Sequence, residues 1–197
     1  MYFIKKTFRI PVSHRLFKHL GRCNHNHGHN LKIVVELMAP ELNTDDMIID
    51  FSDLKEIVNT FLDRFDHSCL LNSNDDIEVE HCVKHNRRYV TFDDADPTAE
   101  TLSKYLNLEI DNYLMNEYGE DDLCCYSVTV WENEDSAAKY IDDNNVEAFL
   151  DLQDNDEDLS PDDKTIKWIN NNLSPDDIFE YSLLEEWAEN NNFTSND

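Results

Sequence analysis

No stretch of this 197-residue chain approaches the roughly 20 consecutive apolar residues that a membrane-spanning helix needs. Its first residues, MYFIKKTFRI, also lack the continuous apolar segment of a signal peptide. We therefore expect neither a membrane span nor a signal peptide. The five cysteines show no spacing typical of a disulfide framework, and Cys124 and Cys125 are adjacent, so we expect a reduced, cytoplasmic protein.

Basic residues are scarce: 16 lysines and arginines accompany 43 aspartates and glutamates, for a formal net charge of −27. This charge argues against the binding of nucleic acid or of an anionic membrane by the molecule as a whole. Acidic residues, in turn, are absent from residues 1–35, which carry seven lysines and arginines. An anionic ligand would be attracted to this segment.

Apolar periodicity predicts an α+β domain. One amphipathic helix is predicted to begin after an N-cap at Ser52 and to end near His67, and a second to run from Asp96 to about Tyr113. Strands are predicted for residues 2–12, 30–39, 77–83, 88–92 and 123–132, with a hairpin turn between the third and the fourth. The expected architecture is an antiparallel sheet with two helices packed on one face.

Residues 142–197 differ in composition from the preceding residues 1–141, which we predict to form the folded domain. The extension holds 17 acidic residues and only two lysines. The sequence LSPDD occurs at 159–163 and at 173–177, and in each copy the serine can cap a helix whose first residue is proline. We predict short helices here. The extension is either a solubilising appendage or a module that docks a partner or limits assembly.

The segment CNHNHGHN, residues 23–30, concentrates potential metal ligands. If it continues into the following strand, His27 and His29 point to the same face, about 6–7 Å apart along the strand. Two imidazoles would fill two of the four positions around a zinc ion. A catalytic zinc has three protein ligands and one open position, so one more ligand is needed. Three histidines are candidates for the third ligand. The first candidate is His14, which lies on the paired strand or just past its end, followed by His19 and His25.

Two further features could contribute chemistry. Cys23 could be a fourth ligand of a closed structural site, or a free thiol near the metal that acts as a base. Asp66 and His67 pair a carboxylate with an imidazole at the predicted end of a helix. Such a pair can orient and polarise a neighbouring group.

Six segments, in order, resemble the 6-pyruvoyl-tetrahydropterin synthase and 6-carboxytetrahydropterin synthase family. They are SHRL with His14, CNHNHGH from Cys23, MIIDFSDLK at 47–55, FDHSCLLN at 65–72, PTAE at 97–100 and VTVWENEDSAAKY at 128–140. The resemblance covers residues 8 to 140, nearly all of the predicted domain. Asp46 departs from the family, which usually has glycine before the methionine, and this leaves the local loop geometry open.

The resemblance implies the tunnelling fold (T-fold), in which the sheets of a trimer join into a barrel and two trimers stack into a hexamer. Active sites then lie between subunits. It also implies that zinc is bound by His14, His27 and His29, which leaves His25 outside the metal's ligand set.

The same resemblance assigns roles to other residues. Cys23 would be the general base, with Asp66 and His67 as its relay, and Glu132 would anchor the pterin ring. The family's Pro-Thr-x-Glu segment, which lies near the substrate pocket, corresponds to Thr98 and Glu100. The cations that a triphosphate needs could come from the acid-free N-terminal segment, through Arg15, Lys18 and Arg22.

The interval between Cys23 and the first ligand histidine distinguishes branches of the family. It is four residues here, as in enzymes similar to the bacterial 6-carboxytetrahydropterin synthase of the queuosine pathway. The expected activity is that of a zinc-dependent lyase converting 7,8-dihydroneopterin triphosphate to 6-carboxy-5,6,7,8-tetrahydropterin, acetaldehyde and triphosphate. The alternatives are a 6-pyruvoyl-tetrahydropterin synthase, and a non-catalytic relative that keeps zinc and binds a partner through its acidic extension.

Overall fold

Two long strands form the centre of the structure, a computed structural model that describes residues 1–119 and 123–142. They belong to a six-stranded sheet of order β4-β3-β1-β2-β5-β6. The strands are β1 (Tyr2–His14), β2 (His27–Ala39), β3 (Cys69–Asn72), β4 (Tyr89–Phe92), β5 (Cys124–Trp131) and β6 (Ala137–Ile141). The helices are α1 (Phe51–Leu62), α2 (Asp76–Lys84) and α3 (Ala99–Tyr118). The helices predicted in the acidic extension lie outside the described residues, and the domain boundary after residue 141 stays a prediction.

The predicted antiparallel pair of β1 and β2 is confirmed, in register from Tyr2 opposite Ala39 to His14 opposite His27. The prediction of an entirely antiparallel sheet is wrong, because β3 runs parallel to both β1 and β4. A chain that leaves β1 and returns parallel to it needs a crossover, and here β2 and α1 intervene.

The core lies on one face of the sheet. Alternate residues of the central strands are buried there, among them Ile10, Val12, Leu31 and Ile33, because successive side chains of a strand point to opposite faces. The buried residues of α1 and α3 join the same apolar cluster, including Leu54, Val58, Leu106 and Ile110. Two of the three described helices therefore cover this face, as predicted.

Residues 77–83 form α2, so the predicted strand and hairpin turn in this region are wrong. The Asp75 side chain caps the helix by accepting a hydrogen bond from the Glu78 amide at 3.4 Å. Cys82 is its only buried residue, and it packs against Cys69 and Leu71 of β3, whereas Leu70 points into the main core. Since Leu70 alternates with these residues, α2 covers the face opposite α1 and α3.

Helix ends also differ from those predicted. The cap of α1 is Asp50 rather than Ser52: its side chain accepts a hydrogen bond from the Ser52 amide at 2.6 Å, which lowers the pKa of the Asp50 carboxyl. The cap of α3 is Thr98 rather than Asp96, and α1 ends at Leu62, before His67. No helix in the described ranges is both long enough and apolar enough to cross a membrane.

The turn before α1 explains the departure at Asp46. This residue has a φ of 58°, in the left-handed region that glycine adopts most readily. Aspartate tolerates this region better than most residues, and the Asn43 side chain supports the turn by accepting hydrogen bonds from the amides of Asp45 at 2.9 Å and Met47 at 3.1 Å. The turn therefore forms without glycine.

Candidate metal centre and catalytic residues

The register of β1 and β2 brings three histidines together at the end of the hairpin. His14 lies directly opposite His27, and His29 lies two residues further along β2, opposite Val12. Residues two apart share a face, so His14 extends the buried row of β1 that includes Val12, and His27 and His29 extend the row of β2 that begins at Leu31. The imidazoles thus occupy the core face where the apolar row ends.

The three side chains are close enough to share one ion. Their potential ligand atoms all lie within 4.8 Å of one another, and the ring centroids are 4.6 to 5.0 Å apart. The Nε2 atoms of His14 and His27 are 3.1 Å apart. A tetrahedral zinc ion bound at about 2.0–2.1 Å holds its ligand nitrogens about 3.3 Å apart. The arrangement therefore has the dimensions of a zinc site.

Backbone carbonyls determine which nitrogen of each ring is free. His14 Nδ1 donates to the Pro97 carbonyl oxygen at 2.8 Å, and His27 Nδ1 donates to that of His25 at 2.7 Å. A carbonyl oxygen only accepts, so in both neutral rings Nδ1 carries the proton and Nε2 presents a lone pair. The Nε2 of His29 is buried without a hydrogen-bond partner. The carbonyl bonds leave Nε2 lone pairs on His14 and His27, and the three side chains together offer nitrogen ligands for a cation between them.

Burial disfavours the protonated, positively charged form of His14. His14 is 2% exposed, and burial lowers its pKa. The neighbouring His27 and His29 act in the same direction, while the hydrogen bond to Pro97 and the charge of Glu132 oppose it. Neutral imidazole nitrogens are preferred ligands of zinc, and three of them leave a fourth position open, as in catalytic sites. The residues present therefore fit Zn²⁺.

The other histidines considered as third ligand are excluded by position. His25 and His19 are exposed, and neither belongs to the cluster. His19 Nδ1 instead accepts a hydrogen bond from the Gly21 amide at 2.9 Å. His25 contributes to the site only through its backbone, as the carbonyl that orients His27.

Cys23 lies in a short 3₁₀ turn, Arg22–Asn24, in the connection between β1 and β2. It is half-buried, whereas the other four cysteines are buried. Its sulfur is not among the clustered ligand atoms, so the closed four-ligand alternative is not formed. The structure is compatible with the other alternative, a free thiol.

The structure does not join Asp66 and His67 to the metal centre. His67 Nδ1 lies 2.9 Å from Asp66 Oδ1, so the predicted pair forms, but three-quarters of the His67 side chain is exposed. It lines a cleft of about 400 Å³ that also includes Pro11, Ser13 and Arg88. The lining also includes Val12, but none of the three clustered histidines.

Glu132 is the predicted substrate residue that the structure places at the centre. Its Oε1 is 3.9 Å from His14 Nε2, and it follows the last residue of β5. Thr98 caps α3, with its Oγ1 accepting from the Thr101 amide at 3.2 Å, and Glu100 is exposed on the first turn of the same helix. In the described part of the chain, neither side chain forms a hydrogen bond or ion pair with the three histidines.

The predicted triphosphate cations are largely engaged with carboxylates. Arg15 Nε lies 2.9 Å from Asp75 Oδ2, and Lys18 Nζ lies 3.0 Å from Asp94 Oδ1. Arg22 is exposed in the turn that carries Cys23. The roles assigned to these basic residues stay predictions.

Fold and site together define an α+β protein with three clustered histidines, able to hold a metal ion, at the end of its central hairpin. The family model for 6-pyruvoyl tetrahydropterin synthase matches residues 3–143. The chain therefore belongs to the 6-pyruvoyl tetrahydropterin synthase family, as the sequence motifs predicted.

Curated relatives and solved structures agree with this assignment. The 6-carboxy-5,6,7,8-tetrahydropterin synthase of Haemophilus influenzae is 32% identical over 148 residues, covering 71% of this chain and 99% of that protein. The enzyme of the same name from Rickettsia bellii is 33% identical over 112 residues, covering 54% of this chain and 80% of that protein. The 6-pyruvoyl tetrahydropterin synthase of Plasmodium vivax has a TM-score of 0.56 at 20% identity, over 71% of this chain and 98% of that one. An uncharacterized protein from Wolinella succinogenes has a TM-score of 0.61 at 20% identity, over 72% of this chain and 98% of that one. These structures confirm the predicted T-fold.

Proposed function

We propose that the protein is a zinc-dependent 6-carboxy-5,6,7,8-tetrahydropterin synthase of queuosine biosynthesis. It would convert 7,8-dihydroneopterin triphosphate to 6-carboxy-5,6,7,8-tetrahydropterin, with release of acetaldehyde and triphosphate. The observation that carries this proposal is the convergence of His14, His27 and His29, whose possible ligand atoms lie within 4.8 Å of one another. The names of the relatives and the four-residue interval between Cys23 and His27 support this branch of the family.

The roles of the residues follow from their chemistry. Zinc on the three imidazoles would supply a Lewis acid that stabilises negative charge developing on a substrate oxygen. Glu132, beside His14, can accept two hydrogen bonds from the amino-pyrimidine edge of the pterin and so orient the ring. Cys23 can take a proton from the substrate side chain as a thiolate, a form that a nearby cation favours.

The position of Asp66 and His67 supports an assembly of several subunits. His67, which pairs with Asp66, lines a cleft that includes none of the three clustered histidines of its own chain. In a trimer or hexamer with active sites between subunits, His67 of the partner subunit would complete the site and relay the proton taken by Cys23. The oligomer is part of the proposal, and measurement of the molar mass in solution tests it.

The reaction can be tested with purified, zinc-loaded protein and 7,8-dihydroneopterin triphosphate. Acetaldehyde and a 6-carboxypterin product, identified by mass spectrometry, would support the proposal. A product that retains every side-chain carbon would identify a 6-pyruvoyl-tetrahydropterin synthase instead. An unconsumed substrate would favour a non-catalytic zinc-holding protein.

A pair of variants separates the thiol from its surroundings. We expect Cys23→Ser to lower kcat by about 10²–10⁴-fold while the zinc content is kept, because the sulfur acts as a base and is outside the ligand cluster. The matched variant His25→Ala, two residues further along the same connection, should retain activity, since its side chain is exposed and only its carbonyl is used. Equal activity in both variants would contradict the role of Cys23.

A further inference from the structure

The connection that carries Cys23, residues 15–26, is held to the rest of the domain by several carboxylates, and one of them, Asp96, binds its backbone directly. Asp96 Oδ1 accepts a hydrogen bond from the Phe17 amide at 3.1 Å, and Asp96 Oδ2 accepts one from the Lys18 amide at 2.8 Å. Asp96 Oδ1 also accepts from Asn72 Nδ2, at 2.9 Å, which fixes the carboxylate against the end of β3. The side chain is half-buried, so these bonds to a charged acceptor are only partly weakened by solvent.

A backbone hydrogen bond links the segment anchored by Asp96 to Cys23. The Leu16 amide donates to the Cys23 carbonyl oxygen at 2.8 Å. The Asn24 side chain reinforces the link by donating to the carbonyl oxygens of Phe17 at 3.3 Å and His19 at 2.9 Å. The turn that bears the thiol is therefore tied to the backbone of residues 16–19, which Asp96 anchors.

The residue after Asp96 orients a metal ligand. The Pro97 carbonyl oxygen accepts the hydrogen bond from His14 Nδ1 at 2.8 Å. The dipeptide of Asp96 and Pro97 thus holds both the thiol connection and one imidazole of the metal centre. Helix α3 does not need the Asp96 carboxylate as its cap, because Thr98 serves that purpose.

We propose that Asp96 is a positioning residue that sets the place of the Cys23 thiol relative to the metal centre. As a statement about catalysis this rests on the proposed function, but as a statement about the thiol it does not. Two other contacts hold the connection through side chains: Lys18 pairs with Asp94 and donates to its carbonyl oxygen at 2.7 Å, and Arg15 pairs with Asp75 where the connection begins. Asp96 differs from them because it binds the backbone amides of residues 17 and 18, next to the residues that contact the turn of Cys23.

The first test is the rate at which iodoacetamide alkylates Cys23 in zinc-loaded protein. The other four cysteines are buried, so the reagent reports on this thiol. We expect Asp96→Ala to react severalfold faster than wild type. The alkylation rate of Asp96→Asn should fall between those of wild type and Asp96→Ala. Asparagine keeps one acceptor oxygen, but its amide nitrogen is a donor and cannot accept the hydrogen bond from the second backbone amide. The control is Asp93→Asn, which makes the same change of charge in the same connection between β4 and α3. Its alkylation rate should match that of wild type, since the Asp93 carboxylate accepts a hydrogen bond from Ser73.

The second test separates positioning from folding. Zinc content should stay the same in Asp96→Asn, because His14 is held by a backbone carbonyl. With dihydroneopterin triphosphate, we expect kcat of Asp96→Ala to fall by about 10²-fold while KM changes little, the effect of a displaced catalytic group. Should Asp96→Ala fail to fold, the comparison of Asp96→Asn with Asp93→Asn decides the matter.

Two outcomes would overturn the proposal. One is an alkylation rate and a kcat in Asp96→Asn and Asp96→Ala that equal those of Asp93→Asn. The other is alkylation that extends to Cys69 or Cys82, since this would show general loosening of the fold. If wild-type protein does not consume dihydroneopterin triphosphate, the proposed function fails, and the alkylation rates still decide whether Asp96 places the thiol.

Discussion

Replacing His27 with alanine removes one of the three nitrogens of the metal centre and leaves the surrounding strands in place. We expect wild-type protein stripped of metal to gain thermal stability when zinc is restored, and His27→Ala to gain little. The matched variant is His25→Ala, which deletes an exposed imidazole two residues away and keeps the carbonyl that orients His27. It should respond to zinc as wild type does.

The size of the effect follows from linkage. An ion that binds only the native state at a free concentration 100 times its Kd stabilises that state by about 2.7 kcal/mol. For a chain of this length, each kcal/mol raises Tm by about 2–4 °C, so zinc should raise the Tm of wild type by about 5–11 °C. His27→Ala leaves two of the three imidazoles and removes the Nε2 atom that lies 3.1 Å from His14 Nε2. The increase of Tm on addition of zinc should therefore largely disappear.

The assay is thermal unfolding followed by circular dichroism, with and without zinc, together with calorimetric titration of zinc for stoichiometry. One ion per chain is expected for wild type and His25→Ala. The same increase of Tm in His27→Ala as in wild type would refute the assignment of His27. Loss of the increase in His25→Ala would show that the ligand set is wrong.

Two further predictions concern stability. Asn107→Ala should lower the free energy of unfolding by about 1–3 kcal/mol, because the buried Asn107 amide donates to the Cys125 carbonyl at 2.8 Å and its loss leaves that oxygen unsatisfied; an unchanged urea midpoint would contradict this. Asp50→Ala should unfold more easily than wild type at neutral pH. The bond from Ser52 lowers the pKa of Asp50 below its ordinary value of 3.8, so its stabilising contribution is present above that value and is lost as pH falls through the lower, folded value. Urea unfolding across this range should show the two proteins converging, and a difference that persists in the most acid samples would count against the cap.

The clustering of His27 and His29 could be predicted from sequence because they belong to the most regular part of the fold. Alternation in residues 2–12 and 30–39 predicts two paired strands, and parity alone places His27 and His29 on one face. Sequence reasoning did not fix the register that sets His14 opposite His27. The carbonyls of Pro97 and His25 that orient the rings could not be predicted either, because every residue has a carbonyl and only the tertiary structure selects these two.

The prediction failed at α2 because two local signals conflict. Ile77, Val79 and Val83 are β-branched and alternate in the way that a strand does, and this pattern predicts a strand. The competing signal was Asp75 three residues before Glu78, which is typical of a helix N-terminus. Ile77 and Val83 are exposed in the structure, so the apolar alternation does not reflect burial.

The grouping of Cys23 with Asp66 and His67 shows a different limit. The motifs place these residues in the same active site, but the cleft that His67 lines within one chain does not include Cys23. The strand Cys69–Asn72, which follows His67 and lies beside β1, was not predicted. A four-residue strand buried throughout has no alternation to detect.

The hydrogen bond between His14 and Pro97 spans 83 residues of chain. Synthesis proceeds from the N-terminus, so all three ligand imidazoles leave the ribosome long before the carbonyl that restrains the first of them. A nascent hairpin could therefore capture a metal ion while one imidazole is still free to rotate. If the imidazoles bind zinc as proposed, metal binding and the fixing of His14 are separate steps in folding, and the second requires the start of α3 to fold onto the sheet.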